Sequence, residues 1–201
     1  MKLHPQTTDL SRYRESSELI DFRLDKSCEI NALTKKLLRI DWQQGEFTSN
    51  AFAFVRDKIA HSMDIKSKVV TCKASEVLSA KEGLCYAKSH LLAAILRCSG
   101  IPTGFCYQRL MFNNTLVLHG LNAVYIKSID KWIRLDARGN KPGVDAQFSL
   151  YSEKLAYTVR PELGEEDIPI IFAEPNENVV RSLTTDKKLD EVVKNLPRIL
   201  N

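Results

Sequence analysis

The chain has no apolar run approaching the length of a membrane span, and its N-terminus, MKLHPQTTDLSRYRESS, lacks the apolar core of a secretory signal. No membrane partner is expected, and a cytoplasmic location is. There is no polybasic block either: 29 Lys and Arg against 25 Asp and Glu leave a formal charge of +4 spread along the chain, so no nucleic-acid partner is expected. The five cysteines, Cys28, Cys72, Cys85, Cys98 and Cys106, contain no C-x-x-C pair. Their odd number and irregular spacing argue against a disulfide framework or a zinc site and fit a reducing compartment. Also missing are an internal repeat, a low-complexity tract, a clear linker and the acidic cluster of a calcium-regulated enzyme. No metal and no cofactor is expected. The remainder, 44% hydrophobic and 27% charged over 201 residues, suits one soluble domain with a real core.

What is present centres on Gly83 to Pro102, GLCYAKSHLLAAILRCSGIP. Gly83 breaks the chain, and Leu84, Ala87, Leu91, Leu92, Ile95 and Leu96 then recur near helical spacing. Ser99, Gly100 and Pro102 end the helix. Cys85 falls in its first turn, where free backbone N–H groups and the positive end of the dipole favour a thiolate. A small buried core cysteine would look the same, so its meaning depends on partners elsewhere.

Upstream, Arg14 to Phe22 reads as a short helix after an extended start. Cys28 to Ile40 reads as an amphipathic helix with Ile30, Leu33, Leu37 and Leu38 on one side. Trp42 to Gly45 reads as a connector, followed by a helix from Ala51 that Ser49 or Asn50 caps. His61, near that helix's end, reads as a structural residue favoured by the dipole. SEVLSAKEG makes a short helix before the Cys85 segment. Far downstream, Tyr151, Tyr157 and Arg160 could line a cleft or face solvent equally well, Ile168 to Ala173 reads as a final strand held at an edge by Pro169, and Asp186 to Leu196 reads as a helix capped by Asp186.

Between these regions the period changes. Phe105 to Phe112 and Leu116 to Ile126 are strands joined at Asn113 and Asn114, and a turn at Lys127 to Asp130 leads into Lys131 to Asp136. A four-residue second turn pairs Ile126 with Lys131 and Leu121 with Asp136. His119 then shares a face with Asp136 and stands diagonal to it, within reach of a hydrogen bond; a slip of one residue would separate them. The same register sets Tyr125 beside Trp132 and gathers Val124, Ile126, Ile133 and Leu135 on the opposite face. A cysteine nucleophile needs a base, and the base needs an orienting acceptor. His119 and Asp136 fill those requirements, with His90 a poorer base on the Cys85 helix and His4 too near the terminus.

These residues carry a family likeness. Gly83-Leu84-Cys85 at a helix start, Arg97 followed by Gly100-Ile101-Pro102, His119, and Trp132 followed by Leu135-Asp136 resemble the ordered motifs of the transglutaminase-like superfamily over Ser75 to Asp136. The resemblance implies an α+β, papain-like fold: N-terminal helices and a Cys-bearing helix packed on an antiparallel sheet. Residues 1–201 would form one such domain, with its core at about 50–175 and helical additions at both ends. It further implies Cys85 as nucleophile, His119 as general base and acid, and Asp136 as orienting carboxylate. Where the family usually has tryptophan two residues after the histidine this chain has Leu121, a departure that bears on packing at the substrate side.

The function expected is that of a thiol hydrolase or acyltransferase acting on a peptide or isopeptide amide through a Cys thioester, a hydrolase before a protein cross-linker. Two alternatives stand beside it: small-molecule acyl transfer of the arylamine-acetyltransferase type, for which the chain is short and lacks a nucleotide-binding signature, and a non-catalytic binding module. The backbone N–H of Cys85 would hold the oxyanion, with a second donor expected from Trp42, Gln43 or Gln44. The oligomeric state is not legible in the sequence.

Overall fold

The computed structural model describes residues 1–38, 43–185 and 188–201. Its elements in chain order are β1 (His4–Pro5), α1 (Glu29–Leu37), α2 (Gln44–Lys58), β2 (Ala60–His61), α3 (Ala74–Ala80), β3 (Glu82–Gly83), α4 (Cys85–Cys98), β4 (Thr103–Phe112), β5 (Thr115–Ile126), β6 (Lys131–Leu135), β7 (Glu166–Phe172), α5 (Glu177–Thr185) and α6 (Leu189–Lys194). The main sheet has the order β1-β7-β4-β5-β6, antiparallel except for β1 against β7. A second, two-stranded parallel sheet pairs β2 with β3. The fold is α+β, with helices laid on an antiparallel-dominated sheet. Among the described residues no helix is long and apolar enough to cross a membrane.

α4 is the hub. Every side chain from Tyr86 to Arg97 is buried, because α1, α2 and α3 pack around it while β4 and β5 pass beside it. A helix enclosed on all sides needs apolar residues all round, which Leu91, Leu92, Ile95 and Leu96 supply. Each such side chain contributes about 1.5–3 kcal/mol on burial. The one long charged residue in this stretch that reaches the far end, Arg97, has its donors satisfied by the carbonyls of Thr103 (2.9 Å), Glu15 (3.0 Å) and Ala173 and its charge opposed by Glu174 at 3.6 Å.

The meander follows from its turns. Asn113 and Asn114 both adopt positive φ (47° and 59°), the tight hairpin turn that asparagine tolerates, and Phe112 pairs with Thr115 across it. A short 3-10 turn over Lys127–Ile129, closed by Asp130 at φ 51°, then pairs Ile126 with Lys131 and Tyr125 with Trp132. This is the expected register, and it divides the sheet as expected. Val124, Ile126, Ile133 and Leu135 join the main core, whereas Leu121 and Ala123 join a smaller cluster with Tyr13, Cys106 and Ile171.

Several expectations are corrected. Arg14 to Phe22 is not helical: Ser16 Oγ donates to the carbonyls of Ile20 and Phe22, which folds the segment as a loop. α2 begins at Gln44, nearly two turns before the start expected with Ser49 or Asn50 as cap, because Phe47 extends the buried stripe of Ala51, Phe52 and Val55. β7 is not the edge strand, since β1 pairs with Ile170 and Ile171; Pro169 lies in the part of β7 that β1 leaves uncovered. α5 was not anticipated, and it buries Val179 and Leu183. The tail helix is shorter than expected, Leu189–Lys194, and the proposed cap Asp186 lies outside the described residues.

Candidate active site

Cys85 is the first residue of α4, following Leu84 in extended conformation (φ −68°, ψ 165°). Its backbone N–H therefore has no intrahelical acceptor. Three features hold this end of α4 against β5. The Tyr86 hydroxyl donates to the Leu118 carbonyl. Asn122 Nδ2 donates to Ser89 O (3.1 Å) and Gly104 O (3.3 Å). Gly120 permits the close approach, since a Cβ there would lie 2.7 Å from Tyr86 Cδ1 and 3.3 Å from Tyr86 Cα. His119 sits between Leu118 and Gly120, so the contacts that dock α4 also fix the histidine's strand.

His119 and Asp136 meet as the register requires. His119 Nε2 lies 2.8 Å from Asp136 Oδ2, with both side chains buried. Asp136 follows directly after β6, and the backbone N–H groups of Ala156 (3.0 Å) and Arg138 (3.1 Å) also donate to its carboxylate. Burial alone would raise this carboxyl's pKa, but the charge and hydrogen bond of His119 and the two amides hold it below the ordinary value. With Nε2 taken by Asp136, Nδ1 is the ring nitrogen left for Cys85. Burial disfavours the imidazolium, yet the Asp136 charge and the charge and hydrogen bond of Cys85 more than reverse this, raising the pKa to about 10. At neutral pH the ring is protonated.

The five cysteines are all free and differ in access. Cys72 and Cys106 are buried, and burial pushes both thiols up to about 12. Cys85 is half-buried at the open end of its helix. Among the described residues no cluster of His, Cys, Asp and Glu could hold a metal ion.

A second layer surrounds these three residues. Tyr157 presents its ring edge-to-face to His119, centroids 5.1 Å apart, and burial raises the pKa of its hydroxyl against the opposing charge of Arg138. Arg138 is buried and forks onto Asp64 (2.5 and 2.9 Å), which Lys141 also contacts at 2.8 Å. Lys88, one turn along α4, donates to the carbonyls of Ile59 (2.5 Å), Arg138 (2.9 Å) and Arg56 (3.5 Å). Burial lowers its pKa to about 7. None of Asp64, Lys88 or Arg138 was singled out from sequence. Their only signal is short spacing to His61, Cys85 and Asp136, which in a single chain carries no meaning.

The other candidates fall away from His119. Tyr151 is 90% exposed, and Arg160 pairs with Glu165 at 2.7 Å. His90 is buried with Nδ1 2.7 Å from the Cys72 carbonyl, a structural role. Leu121 is 1% exposed and packs in the small outer cluster with Tyr13, Cys106 and Ile171. Gln44 spends its side chain on the β5–β6 turn, donating to Tyr125 O (2.7 Å) and accepting from Lys127 N–H (3.0 Å). Gln43 is exposed, and Trp42 lies outside the described residues. His61 is not the charged residue that a helix dipole would favour. It is buried in β2, and burial, then Arg138, lowers its pKa to about 3.

A cysteine at the mouth of a buried helix, facing a sheet that carries a histidine and a carboxylate, is the arrangement of a papain-like fold. The chain belongs to the transglutaminase-like superfamily, whose family model matches residues 31–137, more than half of its length. Comparison with curated proteins finds no match. Among solved structures it is similar to a candidate cysteine protease from Cytophaga hutchinsonii, with 18% identity and a TM-score of 0.49 over 66% of this chain and 43% of that one. It is also similar to the periplasmic domain of TgpA from Pseudomonas aeruginosa, with 15% identity and a TM-score of 0.46 over 63% of this chain and 47% of that one. The chain thus spans less than half the length of either.

Proposed function

We propose that this protein is a thiol hydrolase or acyltransferase that acts on an amide in a peptide or protein. Cys85 is the nucleophile, His119 the acid and base, and Asp136 the group that orients the imidazole. The observation that carries this reading is the 2.8 Å contact of His119 Nε2 with buried Asp136, which leaves Nδ1 for the sulfur. The Cys85 thiolate, paired with the imidazolium, adds to the acyl carbon. The carbonyl π pair moves to oxygen, and the free N–H of Cys85 donates to that oxygen. His119 gives its proton to the departing amine as the C–N bond breaks, and water or a second amine then resolves the thioester.

Iodoacetamide at neutral pH tests the first step. Cys85 is expected to be alkylated ahead of the other four cysteines in the folded protein, and His119→Ala to remove the preference. Equal labelling of all exposed and half-buried thiols would refute the reading. Mass spectrometry after incubation with cell extract should find an acyl adduct on Cys85, whose mass would identify the substrate.

A further inference from the structure

His61 has no role in the chemistry proposed for Cys85, yet the fold brings it to the same place. β2 runs parallel to β3 with His61 opposite Gly83, and Ser62 N–H donates to the Gly83 carbonyl at 3.1 Å. Gly83 is two residues before Cys85, so the pairing sets residue 61 beside the strand that leads into α4, and its imidazole feels the charge of His119. The groups that act on the ring are Arg138, Asp64, Lys88 and His119. Each of these four has its partner: Arg138 and Asp64 hold each other, Lys88 holds three carbonyls, and His119 holds Asp136. His61 is 7% exposed and its Nδ1 has no hydrogen-bond partner. Buried polar atoms are seldom left unpaired, and those that are call for an explanation.

A neutral imidazole carries a single N–H. Burial beside the Arg138 guanidinium keeps His61 neutral. An orphaned buried N–H is rarer than an under-used acceptor, so the proton belongs on Nε2 and the unpartnered Nδ1 is the acceptor. The residue therefore carries one uncharged donor on the strand paired with the lead-in to α4. Of the upstream candidates for a second oxyanion donor, Gln44 is committed to the β5–β6 turn, Gln43 is exposed, and Trp42 lies outside the described residues.

We infer that His61 is the second oxyanion donor of the Cys85 site, its Nε2–H acting with the backbone N–H of Cys85 on the negative oxygen of the tetrahedral intermediate. The inference rests on Cys85 being the nucleophile. No proton leaves His61: the C–S bond forms, the carbonyl π pair becomes the oxyanion lone pair, and the same pair reforms the carbonyl when the leaving group departs.

Two reagents separate this role from packing. p-Nitrophenyl acetate acylates a thiol through a tetrahedral oxyanion, whereas iodoacetamide alkylates it by displacement at a saturated carbon and forms none. In His61→Leu the acylation of Cys85 should slow by about 10²–10³-fold, the effect of losing one oxyanion donor, while its alkylation keeps the wild-type rate. His61→Gln, which restores a neutral N–H donor, should recover part of the acylation rate. His119→Ala should slow both reactions. Wild-type acylation in His61→Leu, or an equal slowing of both reagents in both His61 variants, would overturn the inference and leave the Cys85 reading intact. Failure of wild-type Cys85 to react selectively with either reagent would remove both.

Discussion

The close passage of β5 under α4 makes Gly120→Ala the most demanding test of how the site is built. An alanine Cβ at 120 would lie 2.7 Å from Tyr86 Cδ1, whereas ordinary contact begins near 3.4 Å, so Tyr86 must retreat by about 0.7 Å. The ring cannot swing aside, because it is 1% exposed and its hydroxyl is tied to the Leu118 carbonyl. The Tyr86 Cα, at 3.3 Å, leaves the backbone little more room, and the displacement passes to the first turn of α4. Overpacking of this kind costs about 1–3 kcal/mol. The melting midpoint of a chain of this size should fall by about 2–4 °C for each of those kcal/mol. The consequence for chemistry is larger, because displacing a reacting group by about 1 Å can cost on the order of 100-fold in rate. Urea unfolding and the alkylation rate of Cys85 in the folded variant measure the two effects separately. Unchanged stability would refute the packing argument. Lowered stability with an unchanged Cys85 rate would show that α4 and His119 move together, and would refute the claim that this contact sets their alignment.

Other expectations follow from the buried pair. His119 has a folded-state pKa raised to about 10, so its contribution to stability is fully present below its unfolded value near 6.5 and is lost as pH rises through about 10. Asp136 is shifted down, so its contribution is present above about 3.9 and is lost as pH falls through its lower folded value. Asp136→Asn should therefore fall furthest behind wild type between about pH 4 and 6.5, a window that denaturant titrations across pH will show. In Cys85→Ser the imidazole loses the sulfur's charge, and the NMR titration midpoint of His119 should drop; an unchanged midpoint would mean that sulfur and ring are not in contact. Leu121→Trp, which installs the residue the family usually carries, should cost about 1–3 kcal/mol by overpacking the outer cluster. It should leave Cys85 alkylation unchanged, and a changed rate would place position 121 at the site after all.

The parts legible in the sequence are those in which local chemistry and burial ask for the same answer. The Asn113-Asn114 turn and the alternation of Val124 and Ile126 with Tyr125 leave one register for the meander, and that register brings His119 to Asp136. α4 is equally explicit, because its apolar residues lie between Gly83 and Pro102. What could not be read depends on partners far along the chain. Arg138 meets Asp64 across 74 positions, and Ala156 N–H reaches Asp136 across 20. Neither pairing leaves a trace in periodicity or propensity. Arg14 to Phe22 fails as a helix because Ser16 and Ser17 offer the backbone side-chain hydrogen bonds that compete with helical ones. His61 shows a related limit: its position beside a helix end suggests a favoured positive charge, and burial, which outweighs that effect, is a tertiary property.

Lys88 gives the chain a sense of timing. Its single amine joins carbonyls from two segments, Arg56 and Ile59 upstream and Arg138 downstream, with Cys85 lying between them in sequence. Synthesis runs from the N-terminus, so the ribosome releases Cys85 before His119, Asp136 or the Arg138 carbonyl exists to meet it. During that interval the sulfur has neither its imidazole nor the clamp that seats its helix. Under the proposed function, an incomplete chain therefore carries an idle thiol, and its reactivity arrives only with the segment that closes the meander.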